Sequence, residues 1–201
     1  MKTKSQYILN IVSLVLTLFF PYKIFSQNFS LISDKTFGTI GSEKEPLILK
    51  YNNNIIVAGT SGYIGINGDK TDIGCASSDV WMLMLDQNMN IIWNKTIGGL
   101  DQDEIHGLVV DLNNSIVFSG ETRSDSSCEI STLTRGFSDF WHCMLDSNGN
   151  KILDSRYGSS SLETGGKLIR SSNGDYLIFG GSNGGISGDK TTLGMVIKIF
   201  G

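Results

Sequence analysis

The sequence has little positive charge and no cluster of lysine or arginine residues. Its 16 Lys and Arg residues are outnumbered by 20 Asp and Glu residues, which leaves a net charge of −4. Nucleic-acid binding depends on a basic patch that neutralises phosphates. We therefore expect no nucleic-acid partner.

Helix-forming patterns and proline are also scarce. No segment after Phe20 keeps the apolar period of 3.6 residues that an amphipathic helix requires. Only 2 prolines occur, whereas 24 glycines accompany a hydrophobic content of 40%. That much glycine beside an ordinary apolar content is typical of short strands joined by tight turns. The sequence therefore predicts an all-β protein.

Recognisable catalytic motifs are missing as well. No Gly-x-Ser-x-Gly elbow marks a nucleophilic serine. The glycine-rich stretch at residues 180–185 is not followed by the Gly-Lys-Ser/Thr of a phosphate loop. His106 and His142 lack partner ligands at metal-binding spacing, and we interpret both as structural. We expect a protein that is not an enzyme, with no catalytic residue and no cofactor other than the calcium considered below.

The N-terminus has the features of a targeting segment. Two lysines precede an apolar run at residues 8–20, Pro21 ends that run, and Ser26 offers a small residue for cleavage. This pattern is typical of a secretory signal peptide, and the run is shorter than the ~20 residues that cross a bilayer. We expect residues 1–26 to be the signal peptide and residues 27–201 the exported domain. If the segment were retained, it would act as an anchor instead.

Several landmarks in the chain recur at one constant separation. Gly38, Gly98 and Gly158 are evenly spaced, and Asp79-Val80-Trp81 recurs at the same separation as Asp139-Phe140-Trp141. Self-similarity at a fixed period, here about 60 residues, indicates tandem structural repeats. The expected boundaries are residues 39–98, 99–158 and, for an incomplete repeat, 159–201, preceded by a lone fourth strand at residues 29–38.

Each repeat is predicted to contain four short antiparallel strands. In the middle repeat these strands are expected at residues 107–112, 115–120, 140–145 and 151–157. The third strand of the first repeat is apolar on both faces, with Val80, Met82 and Met84 on one and Trp81, Leu83 and Leu85 on the other. A sheet that exposes one face would alternate with polar residues instead.

Stacked sheets that are covered on both faces are what a β-propeller contains. The residues expected in the blade cores are Trp81, Trp93, Trp141, Leu85 and Leu145. Three blades are too few for a ring of ~4–8, so we predict a partial propeller of about three blades or an open arc. Its exposed end faces would favour self-association. A two-sheet sandwich is the alternative, although it does not explain the period.

Several segments of the repeats share a more specific pattern. They are Ser138-Asp139-Phe140-Trp141, Leu145-Asp146-Ser147-Asn148-Gly149-Asn150, Trp93-Asn94-Lys95-Thr96-Ile97-Gly98-Gly99 and Asp103-Glu104. The pattern resembles that of bacterial secreted or surface proteins built from β-propeller-like tandem repeats, and the likeness covers nearly all of residues 29–201. The resemblance implies a propeller-like fold and a location outside the cell or on the surface of a bacterium. Such proteins often use type IX secretion, and the family implies no reaction.

One acidic position recurs with the same period, as Glu43, Asp103 and Glu163. It lies just before the first strand of each repeat, near one mouth of any central channel. A ring of carboxylates there could hold a cation or a basic ligand. In the alternative, which we favour, each carboxylate accepts local backbone N–H bonds where two repeats join.

Asp146, Asn148, Asn150 and Asp154 form a candidate calcium site. Their oxygens stand at relative positions 1, 3, 5 and 9, a spacing similar to that of calcium loops, and Ca²⁺ takes ~6–8 oxygen ligands. The same residue types are also the ordinary residues of hairpin turns. The turn is the interpretation that we favour.

The 3 cysteines permit at most one disulfide. Cys75 and Cys128 fall in the long middle loops of successive repeats, so they could meet across neighbouring blades. The alternative is that all three cysteines are unpaired, with Cys143 buried in a strand as a small apolar residue.

The function expected from these features is binding. We expect an exported, non-enzymatic repeat protein whose long loops, at residues 61–78 and 121–138, bind a protein or a glycan, because function tends to lie on loops held by a rigid scaffold. One alternative is a propeller-type enzyme scaffold that is quinone-dependent or glycan-cleaving. Another is a structural fragment of a longer surface protein.

Overall fold

A computed structural model describes residues 34–76, 78–194 and 196–200 of the chain. The expected signal peptide at residues 1–26 and the first part of the expected lone strand lie outside these residues. The described part is all-β and contains no helix, so it also contains no helix that could cross a membrane. This confirms the predicted structural class.

Within the described residues the strands form three antiparallel sheets, each ordered as a simple meander. The first sheet contains β1 (Glu43–Tyr51), β2 (Asn54–Ser61), β3 (Asp79–Leu85) and β4 (Ile91–Ile97). The second sheet contains β5 (Asp103–Val110), β6 (Ile116–Thr122), β7 (Asp139–Leu145) and β8 (Lys151–Tyr157). The third sheet contains β9 (Glu163–Arg170), β10 (Tyr176–Ser182) and β11 (Val196–Phe200). The first strands of the three sheets begin at Glu43, Asp103 and Glu163, the recurrent acidic position of the sequence. The described sheets do not close into a ring.

The strand bounds agree with the sequence pattern in some places and differ in others. The bounds of β8 are those predicted, whereas β5 begins at Asp103, before the predicted start at Gly107. A bulge at His106 allows the pairing of β5 with β6 to continue as far as Asp103 and Thr122. Residues 34–38, which were expected to end a lone fourth strand, carry no strand.

Both faces of the second sheet are buried. One face meets the first sheet in a core that joins Val80, Met82 and Met84 to Phe118 and Trp141. The rings of Phe118 and Trp141 pack edge to face there, with centroids 5.0 Å apart. The first strand of each later sheet lies against the preceding sheet, because β5 contacts β1, β2 and β3 and β9 contacts β5, β6 and β7.

The opposite face of the second sheet meets the third sheet. Val117 and Phe140 pack there with Leu168, Tyr176 and Ile178. The second sheet is therefore enclosed between its two neighbours. This enclosure accounts for the almost continuous apolar sequence of its third strand.

The expected core residues divide into three groups. Trp141 and Leu145 lie in the core between the first two sheets, whereas Trp81 and Leu85 lie on the opposite face of the first sheet. Trp93 is partly buried and packs against the core between the first two sheets. Its indole N–H donates to the Ser147 carbonyl at 3.1 Å.

The two end sheets differ in their outer faces. We expected both end faces to be exposed, but Trp81, Leu83 and Leu85 are buried and pack with Phe37 among other side chains. The outer face of the third sheet does expose apolar side chains, with Ile169 at 52% and Phe179 at 41% exposure.

Phe118→Ala tests the packing between the first two sheets. The substitution leaves a cavity beside Trp141, and we expect the free energy of unfolding to fall by about 3–5 kcal/mol in urea denaturation. Leu112→Ala is the control, because Leu112 is exposed in a turn and its loss should change stability by no more than about 0.5 kcal/mol. Equal losses in the two variants would contradict this packing.

Candidate functional site

Asp103, the middle member of the repeated acidic position, is completely buried where the first sheet joins the second. Its carboxylate accepts the Gly99 N–H at 2.5 Å, the Ser124 hydroxyl at 2.9 Å and the Thr122 hydroxyl. Gly99 lies in the connection from β4 of the first sheet to β5, Thr122 ends β6, and Ser124 follows it. Asp103 therefore ties the connection between the two sheets to the end of β6.

The other two members of this position have the same kind of partners. Glu163 accepts the Ser159 N–H at 3.0 Å and the hydroxyls of Ser159 and Ser182, both at 2.6 Å. Glu43 accepts the Thr39 hydroxyl at 2.7 Å. Each carboxylate bonds to the chain segment just before its own strand. These bonds favour the local structural role over a shared ligand ring.

The recurrent glycine lies at the same junctions. A β-carbon on Gly98 would overlap the Asp79 carboxylate and approach Asp103, and one on Gly158 would overlap Asp139. The glycine is thus required because acidic side chains converge on its Cα. This close approach gives a physical reason for one of the landmarks that define the period.

The candidate calcium residues at the tip of the β7–β8 turn bond to one another. Asp146 accepts the backbone N–H groups of Asn148 and Asn150, both at 2.8 Å, and the Asn150 side-chain amide at 2.9 Å. The corresponding turn of the first sheet has the same bonds to its own aspartate. This is the hydrogen-bond pattern of an Asx turn, in which the carboxylate already has its donors.

Asp154, the fourth candidate calcium ligand, takes part in a different network. Its carboxylate accepts the Ser131 N–H at 3.0 Å and the Lys151 ammonium at 2.9 Å, and it also receives the Ser131 hydroxyl. The Trp141 indole N–H donates to the same group at 3.4 Å. The candidate calcium ligands are therefore divided, with Asp146 in a turn and Asp154 in a buried network on a strand. Protein donors already bond to both of these carboxylates.

The loop between the second and third strands of each sheet is held by one buried side chain. In the first loop the Lys70 ammonium donates to the Asp72 carbonyl at 2.9 Å. In the third loop the Lys190 ammonium donates to the Gly184 carbonyl at 2.6 Å. Ile130 occupies the corresponding place in the middle loop and is buried in the core. In each loop a buried side chain therefore anchors the loop to the protein interior.

A disulfide joins the first and second of these loops. It links Cys75 to Cys128, with their Cα atoms 6.6 Å apart, whereas Cys143 is free and buried in β7. Cys128 has a φ of 49°, close to the 57° of Gly68 and the 58° of Gly188 at the corresponding positions. The middle loop therefore places a cysteine in a left-handed conformation that favours glycine.

Each of the three loops also exposes an apolar side chain, and the three side chains occupy corresponding positions. Ile73, Leu133 and Leu193 are separated by the repeat period and are 66%, 70% and 75% exposed. Ile73, Gly74, Cys75 and Cys128 line part of a cavity of about 200 Å³ beside the disulfide. The sequence pattern indicated these loops as binding regions but not this position, which the repeat period could have revealed.

Comparison of the chain with protein-family models and with curated proteins finds no match.

The stability of the protein should depend on the ionisation of Asp103. Burial raises the pKa of this carboxyl from 3.8 to about 6, although hydrogen bonds from Thr122, Gly99 and Ser124 oppose the increase. A group with a higher pKa in the folded chain contributes stability that is full below pH 3.8 and is lost as the pH rises through about 6.

Asp103→Asn removes this titration and serves as the reference. We expect the difference in unfolding free energy, wild type minus variant, to fall by about 3 kcal/mol between pH 3.5 and pH 7. Urea denaturation of both proteins at several pH values measures this difference. The contributions of the other carboxyl groups to the pH dependence are shared by the two proteins and cancel. A difference that does not change with pH would contradict this assignment.

Two disulfide variants test the conformation of Cys128. Replacing Cys75 and Cys128 with serine should lower the free energy of unfolding by about 2–4 kcal/mol. The variant Cys75→Ser/Cys128→Gly should recover about 1 kcal/mol of that loss, since glycine adopts a positive φ without steric cost. Denaturation of both variants beside the oxidised protein gives the comparison. A glycine variant no more stable than the serine variant would argue against strain at this residue.

Proposed function

We propose that this chain is an exported, non-enzymatic repeat protein that binds a protein or glycan partner through its loops. The recurrent exposure of Ile73, Leu133 and Leu193 carries this proposal. Single exposed apolar residues are ordinary, but the same exposure at corresponding positions of three loops is a property of the repeat itself. Burying each of these side chains against a partner would contribute about 1.5–3 kcal/mol.

The fold that we propose is a partial β-propeller or open arc of about three blades. It is supported by the face-to-face packing of successive sheets and by the position of β5 and β9 against the preceding sheets. In this arrangement the three long loops emerge from corresponding places on successive blades. A partner with an apolar surface could then contact several loops at once.

The proposed location is outside the cell or on the surface of a bacterium. The signal-peptide pattern at residues 1–26 supports export, and the disulfide between Cys75 and Cys128 fits an oxidising compartment. Neither an enzyme scaffold nor a structural fragment of a longer protein is favoured by a specific residue in the described part of the chain.

A triple variant tests the binding surface. The full chain, exported from a bacterial host, is compared with Ile73→Ser/Leu133→Ser/Leu193→Ser in a glycan array and in crosslinking to surface proteins. We expect the triple variant to lose at least tenfold in affinity for any partner that the native chain retains, because apolar contact area disappears. Its melting temperature should stay unchanged, since the three side chains are exposed.

The matched control is Ile92→Ser/Leu112→Ser/Ile152→Ser, which removes three exposed apolar side chains away from the long loops. This variant should retain the partner. Light scattering on all three proteins shows whether association through the third sheet contributes. Equal binding by the triple variant and the native chain would reject the loop surface as the site.

A further inference from the structure

His106 is the extra residue of a bulge in β5. The pairing of β5 with β6 shifts register between Ile105 and Gly107, so His106 has no partner across the strands. Bulges of this kind redirect a side chain and occur frequently beside functional sites. The His106 side chain is 10% exposed and extends to Glu45, a residue of a second bulge, in β1.

The two ring nitrogens of His106 have different surroundings. Nδ1 lies 2.7 Å from Oε2 of Glu45. Nε2 lies 3.8 Å from Oε2 of Glu104 and 3.8 Å from Oε2 of Glu121, and within the described residues it is buried without a hydrogen bond. A histidine that donates through one nitrogen to a carboxylate presents the lone pair of the other nitrogen. Histidines that bind metal ions are oriented in this way.

Three carboxylates surround His106, and Arg123 acts electrostatically on one of them, Glu121. Potential ligand atoms of Glu45, Glu104 and His106 lie within 4.8 Å of one another. Glu121 lies outside this group, with its Oε2 3.8 Å from Nε2 of His106 and accepting the Gly165 N–H at 2.9 Å. In the described part of the chain, no Lys or Arg side chain forms an ion pair with these carboxylates. Glu45 and Glu104 are partly exposed, so an ion from solvent can reach the group.

We propose that His106 Nε2 and the carboxylate of Glu104 bind a divalent transition-metal ion of the Zn²⁺ class. Glu45 holds the imidazole through Nδ1. Tetrahedral ligands ~2.0–2.2 Å from Zn²⁺ lie about 3.4 Å from one another, so the 3.8 Å gap between Nε2 and the Glu104 carboxylate requires only a small side-chain shift. An imidazole nitrogen favours Zn²⁺ over Ca²⁺ and Mg²⁺, which prefer oxygen ligands.

Calorimetric titration of the untagged full chain with Zn²⁺, after removal of metals by chelator, tests this site. We expect one Zn²⁺ per chain and much weaker binding of Ca²⁺ and Mg²⁺. His106→Gln should weaken Zn²⁺ binding at least 100-fold, and Glu45→Ala should weaken it 10–100-fold, because alanine has no acceptor for the Nδ1–H group that orients the imidazole. Glu129→Gln, which neutralises an exposed loop carboxylate, should bind as the native chain does.

The visible absorption of bound Co²⁺ provides a second measurement that reports direct ligation. Glu104→Gln should change the spectrum, whereas Glu129→Gln should leave it unchanged. If His106→Gln does not fold, Glu45→Ala decides the question, because Glu45 lies partly in solvent. Failure of the native chain to bind Zn²⁺, equal binding by Glu45→Ala, or equal affinity for Ca²⁺ would overturn the proposal. The first of these results would indicate that His106 serves only as an ion-pair partner of the three carboxylates.

Discussion

The burial of both faces of the second sheet is the interaction on which the rest of this structure depends. Phe118 and Trp141 face the first sheet, whereas Val117 and Phe140 face the third. Because both faces of such a sheet are apolar, each face must pack against another sheet to be removed from water. Successive sheets must therefore stack. This stacking places the strand ends and loops of one sheet beside those of the next.

Stacking brings acidic side chains into the junctions between sheets, where each must find donors. A buried carboxylate is costly unless it is hydrogen-bonded, and Asp103 and Glu163 meet this requirement with N–H and hydroxyl groups of their own junctions. Several buried side-chain atoms have no hydrogen bond in the described structure, among them Asp79 Oδ1, Asp139 Oδ1 and His106 Nε2. His106 differs from the two aspartates because carboxylates of three other residues surround its ring.

The sequence pattern predicted the packing of the strands better than the roles of individual polar residues. Val80 and Trp81 were assigned to opposite faces of one strand, and the structure places them in separate clusters. The start of β5 was missed, because Asp103 and His106 are polar residues whose partners lie on other strands. Asp103 accepts a hydrogen bond from Thr122 of β6, and His106 contacts Glu45 of β1. The separation of Asp154 from the turn residues has a related reason, since Asp154 bonds to Ser131, 23 residues earlier in the chain.

By itself the sequence determined the all-β class, the constant repeat period and the two apolar faces of the third strands, because alternation along a strand and recurrence along a chain are local properties. Only the tertiary structure decided which faces meet, which loops the disulfide joins, and which apolar residues remain in solvent. It alone also brought Glu45, Glu104 and Glu121 around His106. These arrangements join residues from different strands and sheets, so no local pattern in the chain can specify them.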